Sequence, residues 1–257
     1  TASVIKLAVL VELFRQAAAA TIDLDGRITM TADDRVLGSG ILKELGGGLA
    51  PTARDLATAM VVLSDNTATN LLIDLVGGVE PVNATMRDRL GLPDITLHRR
   101  IDFGQIGSDV RRFGESTPRD LARLAAAIAR GEAVDAASSA AMLDIMRRQQ
   151  YLNQVPRYLN VNPHADALGE TQSVWVGCKT GMTPGVRTDA GVIHLPGETD
   201  IAYCAMTEES ADRAMTEEAE GEIANGLIGR ALVAYWWPGG APPGALRDSA
   251  WVDAVLA

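Results

Sequence analysis

The sequence has 257 residues, of which 47% are hydrophobic, and it carries a formal net charge of -10. A chain of this length and composition can bury a substantial core, which excludes a largely disordered protein, and we expect a single domain over residues 1–257. The acidic balance argues against nucleic acid or an anionic membrane as a partner, because both would repel it. A small-molecule substrate fits the charge better.

The first motif, Ser3-x-x-Lys6, stands at the start of a predicted helix over residues 1–20. Residues 4–20 are apolar nearly all round, which is typical of a buried helix. Serine is a weak nucleophile until a base lies within hydrogen-bond reach, and residues three apart on a helix share a face. Burial and the positive end of the helix lower the pKa of Lys6, so that its neutral amine would accept the Ser3 proton. The alternative is a buried helix with one lysine that reaches solvent.

Residues 22–150 are predicted to be mainly helical, and the second motif, Ser64-Asp65-Asn66, interrupts two of the helices. Such a break places side chains in a cleft. Ser64 is suited to pass a proton to a leaving nitrogen or oxygen, and the Asn66 amide would bind a substrate carbonyl and the lysine. The alternative is a polar helix junction in which Asp65 acts as a cap. The predicted helices span residues 52–63, 67–76, 80–90, 118–130 and 136–150.

Three strands are predicted after a Pro- and Asn-rich loop, followed by a long amphipathic helix and a Pro/Gly-rich tail. The β-branched and aromatic residues before Cys178 are typical of a strand. The helical block and the sheet block would meet at a cleft, where binding sites tend to form. The strands span residues 173–179, 186–195 and 201–207, the helix 217–237 and the tail 238–257.

The third motif, Lys179-Thr180-Gly181, ends the first of these strands. Lys179 would provide positive potential for a substrate carboxylate, Thr180 a hydroxyl to bind it, and Gly181 the room for close backbone approach. The backbone N–H groups of Met182 and Ser3 would then form an oxyanion hole. The alternative is a simple turn at the end of a strand.

Together and in this order, the three motifs resemble those of the serine β-lactamase and penicillin-binding transpeptidase superfamily, most closely its class A-like branch. The similarity extends from residue 1 to about residue 237 and includes residues 63–72 and a helix start at Thr117-Pro118. The resemblance implies an α/β (α+β) fold, with an antiparallel sheet flanked by helices plus an all-helical subdomain. Residues 1–20 and 171–237 would form the sheet part, and residues 22–150 the helical part.

The resemblance also implies an activity: hydrolysis of β-lactams through an acyl-enzyme on Ser3, without a metal or another cofactor. A D-alanyl-D-alanine peptidase, or an esterase or amidase, would use the same site on D-amino-acid peptides or esters. A module that senses β-lactams through a stable acyl-Ser3 is the non-enzyme alternative. The position of Thr1 prompts a further class, a hydrolase that uses Thr1 and its own amine as nucleophile and base.

The sequence departs from the family at the residue that clears the acyl-enzyme. The omega-loop glutamate of class A enzymes, in a Glu-x-x-Leu-Asn pattern, is absent. Asp102, in Arg100-x-Asp102, stands at a similar distance before Pro118 and is the candidate water-activating base. An aspartate is one methylene shorter, and an error of about 1 Å can cost on the order of a hundredfold in rate. The alternative is a loop aspartate that pairs with Arg99 or Arg111.

Two further departures affect substrate contacts. The loop before the second motif, residues 36–42, lacks the aromatic residue that usually lines the class A cleft, and no aromatic residue occurs between Phe14 and Phe103. Contact with substrate on that wall would therefore be weaker or differently shaped. Arg187 is either a contact for a substrate carboxylate or an exposed strand arginine.

The nucleophile lies third in the sequence, whereas the family places a helix and two strands before it. We expect an N-terminal segment that was cleaved, is a separate chain or is not recorded, or else a shorter fold in which residues 250–256 cover the gap. The resemblance places the protein outside the cytoplasm, secreted or periplasmic, although no signal peptide is visible. The apolar segment over residues 4–20 is too short to span a membrane and contains too many charged residues.

The two cysteines and three histidines suggest neither a disulfide nor a metal site. With the family's strand order, Cys178 and Cys204 would lie roughly 9 to 10 Å apart across the middle strand, beyond disulfide reach, and are expected to be free thiols. His98, His164 and His194 lack the spacing of metal ligands.

Overall fold

The computed structural model describes residues 1–197, 199–237, 241–242 and 244–247, apart from the side chain of Asp166. The residues proposed to cover the sheet, 250–256, lie outside this part of the chain. A 3₁₀ turn over Ala2–Ile5 leads directly into the first helix. The helices in this part of the chain are α1 (Lys6–Ala18), α2 (Ala53–Val62), α3 (Asn66–Leu75), α4 (Val79–Ala84), α5 (Phe103–Ile106), α6 (Pro118–Ala129), α7 (Ala136–Arg147), α8 (Ala165–Leu168) and α9 (Glu220–Trp236).

Side-chain caps explain where several of these helices begin. Thr52 and Asp55 form a reciprocal capping box at the start of α2. The Thr117 hydroxyl accepts from the Asp120 N–H, and Pro118 occupies the first turn of α6, as predicted. The helix predicted over residues 80–90 is divided, because a π-helical turn over Thr85–Arg89 follows α4.

In the described ranges, a two-residue pair joins β1 (Thr96–Leu97) to β2 (Gly114–Glu115). The main sheet there contains β3 (Trp175–Thr183), β4 (Val186–Leu195) and β5 (Thr199–Thr207), which are antiparallel with β4 in the middle. The predicted end of the first strand at residue 179 is wrong. β3 continues because β4 pairs with it as far as Thr183 and Val186, across a two-residue turn in which Gly185 has a φ of +82°.

Two apolar clusters pack on opposite faces of the sheet. The larger one surrounds α1, whose residues from Lys6 to Phe14 are all buried, and the smaller one lies beneath α9. Cys178 belongs to the smaller cluster and Cys204 packs against the larger one. Both thiols are free and their strands flank β4, as predicted.

The buried face of α9 is formed mainly by small and polar residues, not by the apolar stripe that the amphipathic prediction implies. Glycines allow the helix to approach its neighbours closely: a Cβ at Gly229 would lie 2.0 Å from the Val155 carbonyl oxygen, and one at Gly226 would lie 2.8 Å from the Tyr158 ring. Glu222 and Asn225 are also fully buried on this helix. No helix in the described ranges combines the length and apolar character needed to cross a membrane.

Candidate active site

Ser3 lies in the 3₁₀ turn that immediately precedes α1, against strand β3. A Cβ added to Gly181 would lie only 2.6 Å from the Ser3 backbone nitrogen, so the first and third motifs meet where no side chain fits between them. Ala2 has a φ of +45°, in the left-handed region that L-residues rarely adopt. The turn that carries Ser3 is therefore held in a strained conformation by its packing.

Thr1 is part of the support of this turn. Its hydroxyl donates to the Gly114 carbonyl at 2.8 Å, and its own carbonyl accepts from the Thr188 hydroxyl at 2.8 Å. The Thr1 side chain is therefore engaged in a structural hydrogen bond. These contacts give no support to the alternative in which Thr1 is the nucleophile.

Two buried lysines converge on one serine hydroxyl. Lys6 Nζ donates to the Ser64 carbonyl oxygen at 2.7 Å, to Ser64 Oγ at 3.1 Å and to Asn66 Oδ1 at 2.8 Å. Lys179 Nζ donates to the same Ser64 Oγ at 3.0 Å and to the Thr180 carbonyl. Since a hydroxyl has two acceptor lone pairs, both lysines can bind Ser64 Oγ while its own hydrogen remains available to a substrate.

Burial lowers the pKa of both lysines. The pKa of Lys6 falls well below its ordinary value, chiefly through desolvation and secondly through the charge of Lys179, while Asp65 opposes the shift. Desolvation lowers the pKa of Lys179 to about 7, against opposing effects of Cys178 and Asp189. The lowered pKa makes the neutral amine that a general base requires easier to reach for Lys6 than for an ordinary lysine.

Asp189 is a buried acid behind the cleft that the sequence reasoning missed. It lies on β4 in register with Thr180, and its carboxylate accepts from the Tyr203 hydroxyl and the Val155 N–H, both at 3.0 Å. Burial raises its pKa to about 7. The available signal was an aspartate inside a predicted strand, where a buried acid needs specific partners.

Asp65 has the capping role that the sequence offered as an alternative. Its carboxylate accepts from the N–H groups of Ala68, Ile41 and Leu42 at 2.7 to 2.9 Å. It thereby begins α3 and holds the preceding loop against the cleft. The neighbouring Ser64 has a φ of +54°, so its hydroxyl is presented to the lysines from a left-handed backbone.

This conformation gives a stability prediction. Ser64→Gly is expected to be more stable than Ser64→Ala by roughly 0.5–1 kcal/mol, because both lack the hydroxyl but only glycine adopts a positive φ without strain. Urea unfolding of the two variants measures the difference. An equal stability, or a more stable alanine variant, would show that the backbone at Ser64 carries no strain.

Helix α3 also anchors the loop that carries Asp102. The Asn70 side chain donates to the Ile101 carbonyl at 2.9 Å and accepts from the Ile101 N–H at 2.8 Å. Asn70 lies one turn after Asn66, on the same helix face. The residue of this loop that Asn70 holds against α3 is therefore Ile101, whose side chain is aliphatic.

The Asp102 carboxylate caps α5. It accepts from the Gly104 N–H at 2.9 Å, the Gln105 N–H at 3.3 Å and the Gln105 side chain at 2.7 Å, and the residue is exposed. It is not among the side chains that contact Lys6, Ser64 or Lys179. Its predicted alternative partners are engaged elsewhere, since Arg99 donates to Gln105 and Arg111 pairs with Glu208. The contacts of Asp102 thus favour a capping role over a role as base.

The structure corrects one interpretation of Arg187, the exposed strand arginine, and gives no support to the other, the contact for a substrate carboxylate. The side chain is 2% exposed and forms a buried ion pair with Glu222 of α9, at 2.7 Å between Arg187 Nε and Glu222 Oε1. Its remaining nitrogens donate to the carbonyls of Thr183, Val186 and Ala214. With its donors engaged in this way, the guanidinium is unsuited to bind a substrate carboxylate.

The cleft strand is supported from behind through two amides. Gln154 Nε2 donates to the Gly181 carbonyl at 3.2 Å, and Asn225 of α9 donates to Gln154 Oε1 at 2.9 Å. Thr180 is buried on the strand, whereas the Met182 side chain is 39% exposed. The N–H groups of Met182 and Ser3 remain the predicted oxyanion hole.

A helical part, an antiparallel sheet and two lysines that share a serine define a protein of the β-lactamase type. The sequence model of the Beta-lactamase enzyme family matches residues 1–236, and the chain belongs to this family. It is 31% identical over 214 residues to a β-lactamase of Amycolatopsis lactamdurans, covering 79% of this chain and 66% of the relative, just under two thirds of its length. The predicted family is thereby confirmed.

Solved structures agree with the predicted fold. A β-lactamase from Sphaerobacter thermophilus is 34% identical, with a TM-score of 0.79 over 93% of this chain and 84% of that one. PBP-A is 26% identical, with a TM-score of 0.73 over 90% and 80%. A class A β-lactamase from Mycobacterium abscessus, 22% identical with a TM-score of 0.77 over 91% and 84%, shares the fold.

Proposed function

We propose that the protein is a serine hydrolase that opens β-lactams through a covalent acyl-enzyme on Ser3. The observation that carries the proposal is the shared hydroxyl of Ser64, which accepts from Lys6 and Lys179 beside the turn that presents Ser3. This arrangement supplies a base for the nucleophile and an acid for the leaving group. Family membership supports β-lactams as the substrate class.

In the proposed acylation, Ser3 Oγ attacks the ring carbonyl and neutral Lys6 takes its proton. The N–H groups of Ser3 and Met182 stabilise the oxyanion. As the C–N bond breaks, Ser64 gives its hydrogen to the ring nitrogen and recovers a proton from Lys6, so that the proton of Ser3 ends on the nitrogen. Charged Lys179 and the Thr180 hydroxyl bind the substrate carboxylate.

Deacylation needs a water molecule and a base that takes its proton as the ester to Ser3 breaks. Asp102 remains the proposed base, but its carboxylate is engaged in capping α5 and Ile101 occupies the position fixed by Asn70. We therefore expect the acyl-enzyme to be cleared slowly. This observation favours a second candidate, a penicillin-binding D-alanyl peptidase acting on D-amino-acid peptides or esters.

We further propose a secreted or periplasmic location, as is usual in this family.

The test is time-resolved intact mass spectrometry of the protein mixed with benzylpenicillin, with Ser3→Ala in parallel. We expect one added benzylpenicillin on the wild-type protein and no adduct on Ser3→Ala. An adduct that appears and clears as the drug is hydrolysed supports the β-lactamase, and Asp102→Asn would then prolong it if Asp102 is the base. A persistent adduct supports the peptidase or a sensor. No adduct on either protein would refute the proposal and favour an esterase or amidase of other substrates.

A further inference from the structure

One peptide bond, from Gly181 to Met182, carries both the carbonyl that accepts from Gln154 and the N–H that is expected in the oxyanion hole. We propose that Gln154 is a positioning residue for the oxyanion hole, because it aims and polarises the Met182 N–H through the Gly181 carbonyl. The inference rests on the proposed function, since it concerns the acylation step of the same site. It adds a buried residue that acts on this step without touching the substrate.

The Gly181–Met182 peptide needs support from outside its own strand. A side chain is excluded at Gly181, because a Cβ there would lie 2.6 Å from the Ser3 backbone nitrogen. The glycine that permits this close approach also has more backbone freedom than any other residue. The groups that bind the Gly181 carbonyl therefore decide how the peptide is oriented.

Gln154 supplies a side-chain donor for this carbonyl. Its Nε2 lies 3.2 Å from the Gly181 oxygen, and the residue is 1% exposed. The Thr188 hydroxyl lies at a similar distance, 3.3 Å, but its single hydrogen is engaged with the Thr1 carbonyl at 2.8 Å. The side-chain hydrogen bond to Gly181 therefore comes from Gln154.

The planar peptide transmits this bond to the oxyanion hole. In a trans peptide the C=O and N–H groups lie in one plane and point in opposite directions, so a donor at the Gly181 oxygen fixes the direction of the Met182 N–H. Hydrogen bonds in a chain also polarise one another. The same bond thus makes the Met182 N–H a stronger donor to the charge that develops on the substrate oxygen.

The orientation of the Gln154 amide is determined by its neighbours. A carbonyl oxygen can only accept, so the amide atom beside Gly181 is the nitrogen, and Oε1 accepts from Asn225 Nδ2 at 2.9 Å. The following residue is also fixed, because the Val155 N–H donates to Asp189 at 3.0 Å. Helix α9 and strand β4 thereby hold the amide in place.

The test is infrared difference spectroscopy of the acyl-enzyme formed with benzylpenicillin whose β-lactam carbonyl is isotopically labelled. Hydrogen bonds from an oxyanion hole weaken the ester C=O bond and lower its stretching frequency. We expect Gln154→Met to move this band to higher wavenumber. It should also slow acylation about tenfold, against roughly 10²- to 10³-fold for loss of a whole oxyanion donor. Asn225→Ala should shift the band in the same direction by a smaller amount.

Gln149→Met is the matched control. Gln149 is also a fully buried amide, and it donates to the carbonyls of Val61 at 2.9 Å and of Cys178, earlier on β3, at 3.4 Å. This variant should lose stability but keep the wild-type band. The band arises only from molecules that have formed the acyl-enzyme, so a loss of stability alone does not move it.

A Gln154→Met acyl-enzyme with the wild-type band or the wild-type acylation rate would overturn the proposal. If that variant fails to fold, an unchanged band in Asn225→Ala would do the same. An equal shift in Gln149→Met would show a general loosening of β3 and would also overturn it. These results leave the proposed function intact, whereas a wild-type protein that forms no acyl-enzyme would refute the proposed function, and the role of Gln154 with it.

Discussion

Replacement of Lys6 with methionine is expected to slow acylation of Ser3 by benzylpenicillin about 10²- to 10⁴-fold, the range supplied by a positioned general base. Methionine keeps the apolar stem in its buried position but removes the amine that contacts Ser64 and Asn66. The rate constant for adduct formation, followed by intact mass, measures the loss. A Lys6→Met variant that acylates at the wild-type rate would exclude Lys6 as the base.

Lys43→Met is the matched control, because Lys43 binds the Gly40 carbonyl and Glu44 outside the cluster. A pH profile separates catalysis from folding. The wild-type rate should rise with pH as Lys6 loses its proton, at a pKa well below the ordinary lysine value. It should fall above about pH 7, where Lys179 loses the charge that binds the substrate carboxylate. Lys6→Met should lose the rising limb and keep the falling one.

Breaking the buried ion pair of Arg187 and Glu222 is expected to lower the free energy of unfolding by about 3–5 kcal/mol, because the remaining charge would be buried without a partner. Both side chains are at most 2% exposed. Since natural domains are stable by only about 5–15 kcal/mol, either Arg187→Met or Glu222→Met would remove a large part of the stability. Urea unfolding at neutral pH measures the effect of each variant.

The double variant Arg187→Met with Glu222→Met should recover most of the loss, because it leaves no charge unpaired. The exposed pair of Arg130 and Glu132 provides the control: its side chains are more than half exposed, and Arg130→Ala should leave the stability nearly unchanged. Single variants as stable as this control would contradict the assigned role of the pair. So would a double variant that is as unstable as the sum of the single ones.

The parts of the site that could be predicted are those that depend on short spacing. Ser3 and Lys6 lie on one helical turn, Ser64 directly precedes the cap of α3, and β3 carries Lys179. Local periodicity determines these features, and the caps at Asp65 and Thr117 follow from side-chain preferences at helix starts. The structure adds the meeting of the three motifs at Ser64 Oγ, which requires contacts over more than 50 residues of sequence.

Features that depend on distant partners could not be predicted. Arg187 is buried because α9 covers its face of the sheet and places Glu222, 35 residues later in the sequence, in direct contact with it. Strand alternation assigns Arg187 to a face but does not reveal what covers that face. Similarly, the ring of Phe103 packs on a loop more than 60 residues earlier in the sequence. The distance of Asp102 from Pro118 along the sequence carries no information on where its carboxylate points.

The amides of Asn225 and Gln154 connect α9 to β3, the strand that borders the nucleophile. The close contact of Gly229 with Val155 fixes the distance between α9 and the chain segment that carries Val155. At Gly181, β3 contacts the turn that carries Ser3. Substitutions on α9 can therefore alter substrate preference during evolution without contacting any substrate. A mutagenesis library restricted to the residues that line the cleft would overlook this route to new specificities.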